Sequence, residues 1–171
     1  MDRAEVHSST FEQNVLAMVA GLATLSVIED ERLVARAEST GEALMGRLQQ
    51  LVERYELFHS VRGKGLMIGL VFGEPSSRRL RAEFRALEFV RTGLFAQLVV
   101  GPLFTRHRVL TQVAADKMNV VKILPPLVCG EEEIDWFVSA LDDVLREVHE
   151  HPTSALRLGL RLAKGALSRA G

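Results

Sequence analysis

The residues HSSTFEQN, His7 to Asn14, place three hydroxyls, a histidine and two amides directly ahead of a long apolar run, VLAMVAGLATLSVI. Hydroxyls at the mouth of a helix satisfy its free amides as a cap, or join those amides in holding an anion such as a phosphate. Ser8, Ser9 and Thr10 are candidates for either part. Only Lys64, Lys117, Lys122 and Lys164 carry amines. A carbonyl-reactive lysine needs burial or a cationic neighbour to lower its pKa. Lys64 falls in an exposed turn and suits that task poorly. Lys122 lies within VVKILPPL, where a lysine between valine and isoleucine either points into a cleft or faces solvent from an edge strand. Its spacing leaves both open.

RGKGLMIG contains Gly63, Gly65 and Gly69, one residue off a dinucleotide fingerprint. A strand follows the glycines where phosphate binding needs a helix, so the segment reads as strand-turn-strand. His7, His59, His107, His149 and His151 include no pair at helical ligand spacing with a carboxylate partner, and no metal site is expected. His149 and His151 flank a glutamate near a helix end and read as surface residues. No nucleophile-elbow motif is present.

The chain has 171 residues, of which 47% are hydrophobic and 25% charged, with a formal net charge of −1. That is enough chain for one domain with a real core. It lacks the basic field that a nucleic-acid partner requires. Cys129 is the only cysteine, so an intrachain disulfide is excluded and a reducing, cytoplasmic setting fits. Charge interrupts the apolar stretches before they reach membrane-spanning length.

The spacing predicts a helix from about Asn14 to Glu29 and another from Asp30 to Tyr55. In the second, Leu33, Ala37, Gly41, Leu44, Leu48 and Leu51 form one face. Leu57 to Val61 reads as a strand, Arg62 to Gly65 as a turn, and Leu66 to Phe72 as a central strand buried on both faces. Helices are expected over Arg78–Arg91 and Leu94–Arg106, and short strands over Val109–Val113 and Val120–Ile123. Pro125 and Pro126 stop the last strand. Gly130 to Glu150 forms a helix with Glu131, Glu132 and Glu133 in the turn that the helix dipole makes favourable for them. Pro152 then interrupts, and an arginine-rich, weakly amphipathic tail follows. The order implies an α/β or α+β layer, with helices covering one small sheet.

Three segments, in chain order, resemble class III pyridoxal-phosphate-dependent aminotransferases. HSSTFEQNVLAMVAGLATLSVIEDERL resembles a stretch that in the family usually reads H-x-S-T-F-G-G-N-P-L-A. VRGKGLMIGLVF resembles the family's V-R-G-x-G-L-M-x-G strand pair. VVKILPPLVCGEEEIDWFVSALDDVL resembles its closing I-R-x-x-P-P-L strand and final helix. The resemblance runs from about Val6 to Val148. It departs at Glu12 and Gln13, which replace small residues, and at Val15, which replaces proline.

The resemblance implies the C-terminal end of such an enzyme. Residues 1–30 would lead in from a large domain, 31–151 would form the α/β small domain with helices on one face of a small sheet, and 152–171 would be a tail. It implies that Thr10, with Ser9 beside it, binds the pyridoxal 5'-phosphate phosphate of a neighbouring subunit in a homodimer. It places Lys122 where the family commonly has an arginine for the substrate carboxylate. A lysine there keeps the charge and loses the planar two-pronged grip, which favours a substrate without a carboxylate at that site, or a different clamp. The family's cofactor-bonding lysine, and the aspartate that pairs with the pyridine nitrogen, belong to the large domain, and none of the four lysines matches that motif.

The expected function is therefore part of an enzyme moving an amino group between an amine or amino acid and a keto acid or aldehyde, inactive as this chain alone. An aminomutase or decarboxylase relative fits the same fold. The alternative from another class is a non-catalytic interaction module that keeps the small-domain fold. The tail gives no firm membrane association, because one weakly amphipathic helix binds only marginally.

Overall fold

In the computed structural model, which describes residues 14–115 and 118–151, the first helix opens on Asn14. The Asn14 side-chain oxygen accepts from the Ala17 N–H at 3.1 Å, satisfying one of the free amides of α1 (Val15–Asp30). The cap within His7–Asn14 is thus its last residue. Ser8, Ser9 and Thr10 lie outside the described residues. Arg32, at φ 50°, turns the chain before α2 (Leu33–Arg54) begins. The chain divides into two compact units, Met1–Arg36 and Ala37–Gly171.

The second unit takes most of α2 and then β1 (Phe58–Lys64), β2 (Met67–Phe72), α3 (Arg78–Val90), α4 (Leu94–His107), β3 (Gln112–Val113), β4 (Val120–Ile123) and α5 (Glu131–Glu150). The strands form one four-stranded sheet in the order β1-β2-β4-β3, with every neighbouring pair antiparallel. The α/β layer expected from the sequence is the fold observed.

Three local expectations are corrected. Arg62 to Lys64 belong to β1 and pair with β2, so the turn shrinks to Gly65 and Leu66, with Gly65 at φ +54°. The helix α2 approaches this turn closely: a Cβ on Gly41 would collide with the Gly65 carbonyl oxygen. The strand β2 is central but buried on one face only. Ile68, Leu70 and Phe72 are buried, while Met67 is 66% exposed and Gly69 and Val71 are half-buried. An antiparallel sheet covered by helices on one side alternates in this way even where the sequence is uniformly apolar. The strand expected at Val109–Val113 keeps only Gln112 and Val113. The Val109 N–H is already bonded to the Leu103 carbonyl at 2.9 Å, closing the end of α4, where Arg108 takes φ 57°.

The core lies between the covered sheet face and the helices. Leu44, Leu48 and Leu51 of α2, Ile68, Leu70, Val121 and Ile123 of the strands, and Leu141, Val144 and Leu145 of α5 share it. Full burial of each such side chain stabilises the fold by roughly 1.5–3 kcal/mol. Phe58 stacks on Phe72 at 5.0 Å, and Phe95 meets both Phe72 and Phe84 at 5.5 Å, so a chain of rings ties the hairpin to α3 and α4. Arg47 pairs with Glu131 and Asp135, and Arg54 with Asp142. This order shows α2 and α5 running in the same direction. The Glu133 carboxylate accepts from the Gly130 N–H at 2.8 Å at the start of α5.

His149 is not a plain surface residue. Its ring packs 4.9 Å from that of Tyr55, and its Nδ1 sits 2.9 Å from the Leu145 carbonyl. His149 is half-buried there, which its likeness to His151 two residues on conceals in the sequence.

Candidate functional site

Directly paired residues in an antiparallel sheet project to the same face. Val121 and Ile123 point into the core, so Lys122 between them projects to the opposite face. The strand β4 is internal to the sheet, which removes the edge-strand reading of Lys122. Lys122 is half-buried and pairs with Gly69 of β2 on one side and Gln112 of β3 on the other. It lines a cleft of about 340 Å³ with Leu110, Thr111, Gln112 and Leu124. The Thr111 hydroxyl donates to the Lys122 backbone carbonyl, which fixes the irregular chain entering β3 against β4.

Gly69 in turn pairs with Arg62. One row therefore crosses the open face of the sheet: Arg62, Gly69, Lys122, Gln112. The sequence reading found Lys122 and missed the row, because it put Arg62 in a turn. The length of the hairpin was the signal. A two-residue turn at Gly65 and Leu66 sets Arg62 opposite Gly69. Lys64, at the end of β1, is exposed on the same face.

The electrostatics of this face differ from those of the helices. Arg47, Arg54, Arg81, Arg85, Arg106 and Arg146 each meet a carboxylate. Glu74 takes Arg85 through both oxygens at 2.7 and 3.1 Å. The Arg85 hydrogen bond holds its carboxyl below the usual range. Among the described residues, no carboxylate pairs with Arg62 or Lys122.

A second cleft of about 260 Å³ lies beside Leu44, Val109, Ile123, Pro126, Trp136 and Phe137. Its walls are mainly apolar and suit the body of a ligand better than chemistry. Ser9 and Thr10 lie outside the described residues.

The family of this sheet and its helices comes from comparison with known proteins. The family model described as Aminotransferase class-III matches residues 2–145. The chain belongs to the class III aminotransferases.

It is 35% identical to a diaminobutyrate–2-oxoglutarate aminotransferase of Rhizobium meliloti, over 79% of this chain and 28% of the relative. It is 33% identical to a leucine/methionine racemase of Thermococcus litoralis, over 84% of this chain and 30% of that relative. Among solved structures it is similar to an amine transaminase from an uncultivated Pseudomonas species in its PLP-bound form. That match has a TM-score of 0.66 at 30% identity, covering 84% of this chain and 30% of the other. The chain spans 21% to 30% of the length of the curated relatives it matches.

The family and the PLP-bound neighbour imply pyridoxal phosphate. The described residues do not by themselves make a site for it. The open strand face carries cations, but it has neither a loop of amides shaped for a phosphate nor a carboxylate to face a pyridine nitrogen.

Proposed function

We propose that this chain supplies the substrate-facing strand wall of a pyridoxal-phosphate-dependent aminotransferase, one that moves an amino group between an amine or amino acid and a keto acid or aldehyde. The observation that carries this reading is Lys122: half-buried, on an internal strand, lining a cleft and unpaired among the described residues. The cofactor, when bound, supplies the electron sink for the chemistry. Lys122 presents a fixed positive charge to an anionic part of the substrate, and Thr111 holds the strand that carries it. Thr10 and Ser9 hold the cofactor phosphate across the interface of a homodimer, as the resemblance implies. The Schiff-base lysine is supplied from outside these 171 residues, and the setting is cytoplasmic.

Cofactor trapping tests this reading. The purified chain is mixed with pyridoxal phosphate, reduced with borohydride and analysed by peptide mass. No site-specific lysine adduct is expected. A stoichiometric adduct on Lys122 would make it the Schiff-base lysine and overturn the assignment.

One observation favours a second reading, a non-catalytic interaction module. The helix α1 buries none of its residues, and Leu16, Val19, Leu22 and Leu25 are all exposed. A helix this apolar on every side normally packs against something.

A further inference from the structure

We propose that the apolar cleft at the end of the covered sheet face binds a carboxylic acid with a hydrocarbon body, its carboxylate held by Arg108. The body enters from the core side of the sheet, opposite the face that carries Lys122, and the site does not depend on the aminotransferase reading.

The cleft of about 260 Å³ forms where three elements end. The strand β4 stops at Ile123, α5 starts at Glu131, and the chain leaving α4, Arg108 to Thr111, makes the third side. Leu44 of α2, Ile123, Ile134 and Phe137 are buried and form its floor. The rim is apolar too: Leu110 is 84% exposed and Trp136 is 53% exposed. Large apolar side chains left in solvent around a concavity mark a place where an apolar body binds.

Arg108 gives the cleft its charge. It is exposed, lines the cleft and meets no carboxylate among the described residues. The two basic residues before it behave otherwise. Arg106 pairs with Glu147 at 2.5 Å, and His107 lies 3.6 Å from Asp143. Three successive basic residues therefore divide: two face the acids of α5, and the third stands at the cleft.

The backbone makes that division. Arg108 takes φ 57°, with its N–H bonded to the Phe104 carbonyl at 3.1 Å and the Val109 N–H bonded to the Leu103 carbonyl at 2.9 Å. This is the left-handed helix end that glycine usually fills, because a side chain there costs conformational energy. Residues held in such a conformation cluster where a site needs them, and a guanidinium at the rim of the cleft accounts for the cost here.

The sign of the ligand's charge follows from what is already engaged. Glu133 is the one acid among the residues lining the cleft. Its carboxylate accepts from the Gly130 N–H at 2.8 Å and caps α5. The guanidinium of Arg108 has no such task, and its planar fork matches both oxygens of a carboxylate.

Trp136 is the only tryptophan in the chain, so its fluorescence reports on the cleft in the unaltered protein. The test titrates the full chain with octanoate at fixed salt, with octanol as the uncharged control. A saturable change in emission is expected, with octanol weaker by about tenfold or more, the loss of a charge-assisted hydrogen bond. Arg108→Gln should weaken octanoate on the order of tenfold and leave octanol unchanged. Arg108→Lys should recover part of the loss, because it restores charge without the fork. Arg108→Gly should bind octanoate as poorly as Arg108→Gln and yet unfold at higher urea, since glycine takes the left-handed position without strain. No saturable change with octanoate overturns the site. So does octanol binding as tightly as octanoate, or an Arg108→Gln affinity within about twofold of the original. An emission that shifts with protein concentration alone would show a second copy covering the cleft, and would overturn it as well. None of these results bears on the trapping experiment at Lys122.

Discussion

The two faces of the sheet are built from the same strands and obey different rules. On the covered face, Leu70 and Val121 are fully buried and their neighbours are apolar. On the open face, one residue along each strand, stand Arg62, Gly69, Lys122 and Gln112. The covered face holds the fold together, and its substitutions are felt as lost burial. The open face contributes little burial, so its residue types are free to serve recognition. A one-residue slip in register would exchange the two sets and destroy both properties at once.

The largest expected effect breaks the covered face. Leu70→Asp puts an unpaired charge in the core, and the chain should fail to fold cooperatively in a urea titration; Leu70→Ala should cost about 2–5 kcal/mol by the same measurement. Next comes the close approach of α2 to the hairpin. Gly41→Ala should destabilise by about 1–3 kcal/mol despite the better helix propensity of alanine, because the Gly65 carbonyl must move.

A pH series probes the edge of the same core. Burial pushes the His149 imidazole below its ordinary value, against smaller opposing effects from the Leu145 carbonyl and Glu56. The unfolded chain therefore binds a proton more readily than the folded one. The stabilisation from neutral His149 is present above the ordinary value of 6.5 and is lost as pH falls from there through the folded value. Denaturation midpoints should fall with pH in the unaltered chain and stay flatter in His149→Gln. An equal fall in both would assign the effect to other groups.

The smallest effect sharpens the comparison. Lys122→Met on the open face should change stability by no more than about 0.5 kcal/mol, measured by the same urea titration. A large loss of stability there would show that the open face is structural after all.

Much of the helical framework is legible in the sequence. Ile134, Phe137, Leu141, Val144 and Leu145 recur at helical spacing and are the residues α5 buries. The three glutamates mark its start and the prolines after Leu124 mark the end of β4. The site was legible in one residue only. Lys122 stands out as a charge in an apolar run, whereas Arg62 is separated from it by 59 intervening residues and carries no local sign of its place in the row. The inward turn of His149 was hidden for the same reason: its neighbours, Tyr55 and Glu56, come from the segment between α2 and β1.

Local chemistry determined which segments became helix or strand, where the ends fell, and which family the chain resembles. Only the tertiary structure decided which strand is internal, which face the helices cover, and that Arg62, Gly69 and Lys122 form one row. Those facts depend on pairing between segments far apart in the chain. The periodicity of one strand fixes its two faces without fixing which neighbour lies beside it.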